Sequence, residues 1–182
     1  MKEYEVRIEG ITPLLFNRFI EAEIATDVKK RAGSPKPKKV EDKLYKLPNG
    51  KIYTPASHIR GMLINSAKNF KIRGKGRATY SKLIGSIIEV RPEAIVHEYQ
   101  EWKPFTVSAV NPNTKGRMMV TRPRMDKWAL TFHLIFPEED ISPEVIKAIL
   151  DYGGRYVGIG DWRPAKKGMF GKFIVTKFEE VK

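Results

Sequence analysis

The segment that begins at Thr54 contains residue types suited to holding a phosphate group. Its sequence is Thr54-Pro55-Ala56-Ser57-His58-Ile59-Arg60-Gly61. A threonine cap followed by proline is a typical helix start, and the first N–H groups of a helix favour an anion. Arg60 adds a fork of donors, and Gly61 allows close approach of a strand. We therefore predict phosphate contacts at Ser57 and Arg60; the alternative is an ordinary capped helix packed on a sheet.

A basic, glycine-containing loop is expected directly after this helix. It reads Lys71-Ile72-Arg73-Gly74-Lys75-Gly76-Arg77. Flexible loops of this composition follow phosphates without reading bases. The binding residues predicted here are Lys68, Lys71, Arg73, Lys75 and Arg77. The alternative is a loop that is merely solvated.

A third candidate segment, near the end of the sequence, mixes glycines with aromatic rings and cations. The binding residues predicted in it are Arg155, Trp162, Arg163, Lys166 and Lys167. Aromatic rings beside cations suit stacking on unpaired bases combined with backbone contacts, each stacked base contributing roughly 1–3 kcal/mol. The alternative is that Trp162 and Phe170 belong to the core. Its place in a glycine- and proline-containing loop favours partial exposure of Trp162.

Three further arginines, Arg117, Arg122 and Arg124, flank a strand or hairpin after the turn at 111–116. If that region is extended, Arg122 and Arg124 lie on the same face. We expect such a hairpin to act as a basic finger on a nucleic acid.

Catalytic and metal-binding constellations are sparse. There is no cysteine, and the three histidines (His58, His97 and His133) lack the spacing of metal ligands. No phosphate-binding P-loop, Ser-His-Asp motif or paired-carboxylate cluster is visible. His58, close to Arg60, is the one plausible general base for a metal-independent ribonuclease. We expect no metal and no cofactor.

The net charge of +13 is unevenly distributed. No Asp or Glu occurs between Lys43 and Glu89, or between Trp102 and Met125. Such segregation indicates an anionic partner; the alternative is charge that only aids solubility. The first residues lack the apolar stretch of a signal peptide, and no run approaches a membrane span. We therefore expect a cytoplasmic protein with no membrane partner.

Hydrophobic periodicity and turn signals place these segments on an α+β framework. Strands are predicted at 4–10, 51–53, 83–90, 94–98, 105–110, 118–121, 128–136 and 172–178. Helices are predicted at 20–33, 54–70 and 142–153, with a flexible insertion at about 29–39. The order matches the β-α-β-β-α-β pattern of ferredoxin-like folds, an antiparallel sheet with two main helices, here with inserted basic loops and a hairpin. The open sheet face is free for a ligand, as in RNA-recognition modules, although their aromatic signature is absent; strand alternation places His133 on that face.

Three segments together resemble a known family. The first is Ile8-Glu9-Gly10-Ile11-Thr12-Pro13-Leu14-Leu15, the second spans 52–63, and the third is Tyr156-Val157-Gly158-Ile159-Gly160 with its glycine-rich continuation. They resemble the RAMP superfamily of CRISPR-associated proteins, most closely its backbone-subunit branch. Ala56 departs from the usual glycine, and the chain is short for a filament subunit. Stand-alone relatives also occur in phages and mobile elements.

The resemblance implies a modified ferredoxin-like fold that binds RNA or single-stranded DNA and self-assembles along it. We therefore predict a single domain over 1–182 that binds RNA or single-stranded DNA mainly through the phosphate backbone. A homo-oligomer or ribonucleoprotein assembly of repeated subunits is expected. Two alternatives stay open: a metal-independent endoribonuclease that uses His58, and a non-catalytic structural subunit of a larger assembly whose basic face meets acidic protein.

Overall fold

The computed structural model describes residues 1–18, 39–111 and 113–182. The helix predicted at 20–33 and nearly all of the insertion at 29–39 lie outside the described residues. The strands are β1 (Lys2–Gly10), β2 (Leu14–Leu15), β3 (Tyr53–Pro55), β4 (Glu89–Arg91), β5 (Ala94–Val96), β6 (Lys103–Val110), β7 (Arg117–Met125), β8 (Ala129–Phe136) and β9 (Phe173–Glu180). The helices are α1 (Ala56–Ala67), α2 (Tyr80–Ile87) and α3 (Pro143–Tyr152).

The main sheet has four strands in the order β4-β8-β1-β9, and every neighbouring pair is antiparallel. Together with α1 and α3, the chain order β1-α1-β4-β8-α3-β9 gives the ferredoxin-like β-α-β-β-α-β arrangement. Val6 in β1 lies opposite both Phe132 in β8 and Phe178 in β9, which fixes the register of the inward-facing residues. The predicted α+β, ferredoxin-like fold is confirmed.

The core lies between this sheet and the two long helices. Val6, Ile8 and Phe132 on the sheet are fully buried, as are Ile59 and Leu63 on the predicted inner face of α1. Apolar residues spaced three and four apart produce this helix face. The same spacing on α3 gives an inner face on which Ile146, Ile149 and Leu150 are buried and Val145 is half-buried.

Residues 83–90 do not form the predicted strand. They form the end of α2 and continue into the short strand β4. Tyr80, Leu83, Ile84 and Ile87 recur at helical spacing and pack on the core. A short apolar run is compatible with either a helix or a strand, and here its packing against α1 selects the helix. The Ser81 hydroxyl joins the two helices by donating to the Ile64 carbonyl (2.9 Å).

Two smaller sheets complete the described residues. β6 and β7 form a long antiparallel hairpin, from Lys103 opposite Arg124 to Val110 opposite Arg117, and β2 pairs with the base of β7. β3 pairs with β5 just ahead of α1. None of the helices in the described ranges has the length and apolar character that a membrane crossing requires.

Candidate functional site

The open face of the main sheet is occupied by the chain's own ion pairs. Arg7 donates to Glu98 (Nη2–Oε2, 2.8 Å) and to Glu9 (3.0 Å), and His133 Nδ1 lies 2.8 Å from a Glu3 oxygen. The carboxylates on this side are Glu3, Glu5, Glu9, Glu89, Glu98 and Glu179, and the cations paired with them are Arg7, Arg91 and Lys177. His133 faces this side as predicted. Because carboxylates outnumber cations, this face is unsuited to a phosphate backbone and is not free for an anionic ligand.

A cleft of about 610 Å³ lies on the helix side of the sheet, between α1 and the glycine-rich segment at 155–173. Ser57, His58 and Gly61 line it from α1, while Arg163 and Lys166 line it from the opposite side. Two of the segments that the sequence singled out therefore converge on one concave site.

The start of α1 is not capped by Thr54, contrary to the prediction. The Thr54 hydroxyl instead shares a 2.9 Å hydrogen bond with Nε2 of His97, and both side chains are buried. Pro55 occupies the N-cap position, where no side chain caps the helix. The Ala56 N–H donates to the Glu93 carbonyl (2.8 Å), and the exposed Ser57 follows at the mouth of the cleft. The helix start thus meets the cleft without a side-chain cap.

The glycine-rich segment is held tightly against β2. Gly160 has a φ of +79°, and a Cβ there would lie 2.6 Å from the Leu15 carbonyl oxygen, so glycine is required. The next N–H, from Asp161, donates to the same oxygen (2.9 Å). Arg163 donates from Nη1 to the Gly160 carbonyl (3.0 Å). These bonds fix the guanidinium of Arg163 at the wall of the cleft.

The surroundings of His58 favour its uncharged form. Its burial, together with the nearby positive charge of Arg163, holds the pKa of its imidazole below the usual value. Its ring meets the Tyr45 ring edge-on, with centroids 5.3 Å apart. A neutral imidazole in this position can accept a proton or a hydrogen bond.

The basic loop at 71–77 lies beyond the opposite end of α1. Its backbone closes by a bridge between Lys71 and Thr79 and by the Ile72 N–H donating to the Ala78 carbonyl (2.9 Å). The exposed cations on this stretch are Lys68, Lys71, Arg73, Lys75 and Arg77. None of the ion pairs found within the described residues involves them. The loop is therefore a second basic surface, separated from the start of α1 by a helix about 18 Å long.

The lining of the cleft extends along α1 toward the basic loop. The lining of the cleft continues along α1 through Gly61 and Met62 to Asn65. Asn65 is three residues before Lys68, less than one helical turn. The cleft therefore ends close to the beginning of the basic loop.

Arg60 points away from the cleft. Its guanidinium donates to the Gly85 carbonyl of α2. It borders a different groove, which also contains Glu89 and Arg91. Arg60 is therefore not part of the cleft, although Ser57 borders both the cleft and this second groove.

Arg122 and Arg124 share one face of β7, as predicted, but both are already paired. Arg122 Nε donates to an Asp161 carboxylate oxygen at 2.7 Å, and Arg124 Nε donates to Asp126 at 2.6 Å. Arg117, at the far end of the hairpin, is exposed. The predicted basic finger therefore leaves Arg117 solvent-exposed, whereas the other two arginines stabilise the fold.

Trp162 is partly exposed, as expected, but its ring already has neighbours. The Arg122 guanidinium lies 5.7 Å from the ring centroid, and the Phe170 ring lies 6.4 Å away. Phe170 in turn meets Phe105 at 5.6 Å. Trp162 is therefore part of a small aromatic cluster that joins the glycine-rich segment to the hairpin.

The remaining predicted cations, Arg155 and Lys167, are exposed. Arg155 lies two residues before the cleft residue Val157, and Lys167 follows Lys166. Within residues 1–18, 39–111 and 113–182, no group of three His, Asp or Glu side chains is placed to hold a metal ion.

Sequence reasoning missed several residues of the cleft. Asn65 is one, and its spacing of four from Gly61 and eight from Ser57 on one helix was a usable signal. Tyr45 and Asn17 are others. They reach the cleft only through tertiary packing, for which a single sequence has no local signature.

Comparison with known proteins supports the fold. No family model and no curated protein sequence matches this chain. A solved structure does match: one chain of "Cryo-EM structure of the Type III-B Cmr-beta bound to cognate target RNA" aligns with a TM-score of 0.58. The identity is 15%, and the alignment covers all of this chain but 61% of the other. The comparison therefore supports the fold of this chain, and membership of the family stays a prediction.

Proposed function

We propose that this protein binds RNA through the phosphate backbone, as a subunit of a ribonucleoprotein. The observation that carries the proposal is the convergence of the uncapped start of α1 with Arg163 and Lys166 on one cleft. The structural neighbour belongs to a complex bound to cognate target RNA. RNA is therefore our first choice of ligand, and single-stranded DNA is the comparison.

The cleft offers the donors that a phosphate group requires. Arg163 presents a planar fork and Lys166 a mobile ammonium group, and both favour phosphate oxygens. The hydroxyl of Ser57 and the helix dipole add to these. Such contacts position a backbone and carry no sequence information, so we expect weak base preference.

One acidic side chain, Asp161, belongs to the described lining of the cleft. Its carboxylate is neutralised by Arg122, whose Nε lies 2.7 Å away. Arg122 thereby reduces the repulsion that a phosphate would otherwise meet. Arg122 therefore contributes to RNA binding without contacting the RNA and without lining the cleft.

The direct test is a substitution at Gly61 that places a larger side chain in the cleft. A Cβ at this position would meet nothing within 4 Å, so a larger side chain enters open space at the cleft wall. We expect Gly61→Leu to keep the fold and to lose most affinity for a single-stranded RNA oligonucleotide, measured by fluorescence anisotropy. Gly61→Ala is the matched control and should bind nearly as well as the wild type. Unchanged binding by the leucine variant would reject the cleft as the site.

Charge removal gives an independent test. Arg163→Ala and Lys166→Ala should each weaken RNA binding. Lys147→Ala, which removes a lysine paired with Asp151 on α3, should not. Equal effects of all three variants would indicate a response to net charge rather than to the cleft.

A metal-independent endoribonuclease is the second candidate, favoured by the neutral His58 in the cleft beside Arg163. In that reaction the imidazole takes the proton of a 2′-hydroxyl, whose oxygen attacks the adjacent phosphorus. The bond from phosphorus to the 5′-oxygen breaks, and that oxygen is protonated by solvent. The products are a 2′,3′-cyclic phosphate and a 5′-hydroxyl. RNA cleavage in the presence of a chelator, lost in His58→Ala while binding persists, supports it; absence of cleavage by the wild type rejects it.

Assembly is tested by the purified protein itself. Ultraviolet absorbance at the nucleic-acid and protein maxima, before and after a high-salt wash, reports bound nucleic acid. Light scattering after size exclusion gives the number of subunits. A multimer that forms only with RNA supports repeated subunits along a strand. A nucleic-acid-free complex with a stoichiometric acidic protein favours the purely structural alternative.

A further inference from the structure

Tyr156 presents a large ring to solvent beside the cleft. The residue is 59% exposed. The adjacent Arg155 is exposed as well, whereas Val157 and Gly158, which follow, line the cleft. An exposed aromatic ring next to a cation is suited to stacking on a flat ligand such as a nucleic-acid base.

The ring of Tyr156 is held in place by a second aromatic ring. Tyr156 lies on a π-helical turn (Gly153–Val157) that extends α3. Its ring packs on the Tyr152 ring with centroids 4.8 Å apart, and Tyr152 meets the edge of Phe70 at 5.6 Å. This chain of rings restricts the orientation of Tyr156 before any ligand arrives.

The π-helical turn runs directly alongside α1. At Gly153, a Cβ would lie 2.2 Å from the sulfur of Met62, so any larger residue would push the turn away. Tyr152, the residue before the turn, meets Phe70 just before the basic loop, and Gly158, the residue after the turn, lines the cleft. Tyr156 therefore lies between the two basic surfaces.

We infer that Tyr156 stacks on an unpaired base of a strand whose backbone passes from the cleft to the basic loop at 71–77. The inference rests on the proposed function. Phosphates are attracted at both ends of the path, and the exposed ring between them offers a face to the base that the backbone carries. Stacking accepts every base, because each has a π-face, and it requires that the base be unpaired.

This arrangement gives selectivity for single strands. Bases of a duplex are already stacked on one another and are not available to the ring. A duplex can still meet the cations of the basic loop through its phosphates. Tyr156 therefore contributes to affinity for single-stranded RNA and not to affinity for duplex RNA.

The test compares Tyr156→Ala with Tyr156→Phe and Tyr156→Trp. We expect the alanine variant to lose about tenfold in affinity for a single-stranded RNA oligonucleotide, the lower part of the range for one stacked base. The slope of log affinity against log salt should stay as in the wild type, since every phosphate-binding cation is still present. The phenylalanine and tryptophan variants should retain affinity, and duplex affinity should be unchanged. Ile11→Ala, which removes another exposed apolar side chain, is the control.

Two results would overturn the stacking role. Wild-type affinity in Tyr156→Ala, with weakened binding in Arg163→Ala, leaves the cleft intact and removes the ring from the site. Loss of affinity in Tyr156→Phe as well as in Tyr156→Ala assigns the effect to the hydroxyl. Failure of the proposed function is different, because then the wild type itself binds no RNA and Arg163→Ala changes nothing.

Discussion

Arg122 on β7 and Asp161 in the glycine-rich segment form an ion pair in which Nε lies 2.7 Å from Oδ2. The pair is largely shielded from water, with 15% and 25% of the two side chains exposed. It joins the β6–β7 hairpin to the wall of the cleft. It also neutralises the carboxylate that faces the proposed phosphate path.

This pair predicts an indirect effect on binding. Arg122→Ala should weaken RNA affinity several-fold, because it leaves the Asp161 charge unpaired at the cleft. The double variant Arg122→Ala/Asp161→Asn should recover most of that affinity, although removal of the pair costs stability of about 1 kcal/mol. Anisotropy and chemical denaturation measure the two quantities. If the double variant binds as poorly as Arg122→Ala, then Arg122 contacts the ligand directly.

Two glycines that line the cleft should respond in opposite directions to alanine. Gly61 lies inside α1 with open space around it, so Gly61→Ala should raise the free energy of unfolding by about 0.5–1 kcal/mol. Gly160 has a positive φ and a carbonyl 2.6 Å from the added Cβ, so Gly160→Ala should lower it. Urea denaturation curves of the two variants check this. A stabilised Gly160→Ala would contradict the described packing of the segment on β2.

Stability should fall as the solution is made mildly acidic. Burial lowers the pKa of His97 to about 3, below its usual value of 6.5. Between these values the unfolded chain binds a proton that the folded chain refuses, so stability is complete above pH 6.5 and is lost progressively toward pH 3. His58, whose pKa is also lowered, acts in the same direction.

The measurement is the urea midpoint between pH 7 and pH 5, where ordinary carboxylates remain ionised. We expect the midpoint to fall with pH in the wild type and to fall less steeply in His97→Gln. His58→Ala separates the smaller contribution of that histidine. A midpoint that is flat over this interval would show that His97 is accessible to protons in the folded state.

The basic loop should determine much of the salt dependence. Replacing Lys71, Arg73, Lys75 and Arg77 with alanine should reduce the slope of log affinity against log salt, by about 0.7 for each phosphate of a single strand that the loop no longer neutralises. Arg124→Ala provides the control, because this arginine is already paired with Asp126. If the slope is the same in the loop variant and the wild type, the loop is a solvated surface only.

Local sequence signals were sufficient for the elements that carry their own periodicity. The helices at 54–70 and 142–153 and the β-α-β-β-α-β order of elements were predicted from apolar spacing and turn signals. The same signals gave the wrong element for residues 83–87. A short apolar run is compatible with a strand or a helix, and only the packing against α1 selects the helix. The extension of a single domain over 1–182 stays a prediction.

The sequence predicted the segments that form the candidate site but not the contacts between them. The two segments that form the cleft were recognised from glycine, proline and cation spacing. Their separation from the basic loop, the turning of Arg60 toward α2 and the pairing of Arg122 with Asp161 all depend on contacts between distant residues. Tyr156 stood out in the sequence only for its place in a motif, because its exposure is decided by the π-helical turn and not by its neighbours in sequence.

The ion-paired glutamates on the open face of the sheet have a kinetic consequence. Carboxylates outnumber the cations paired with them on that face, whereas Arg163 and Lys166 line the cleft and the basic loop carries exposed cations. If the protein binds RNA as proposed, we expect an approaching phosphate chain to be turned toward the helix side before contact forms, so that a larger share of encounters is productive. We therefore expect the asymmetry to act on the association rate constant for RNA, through residues that lie outside the proposed binding site.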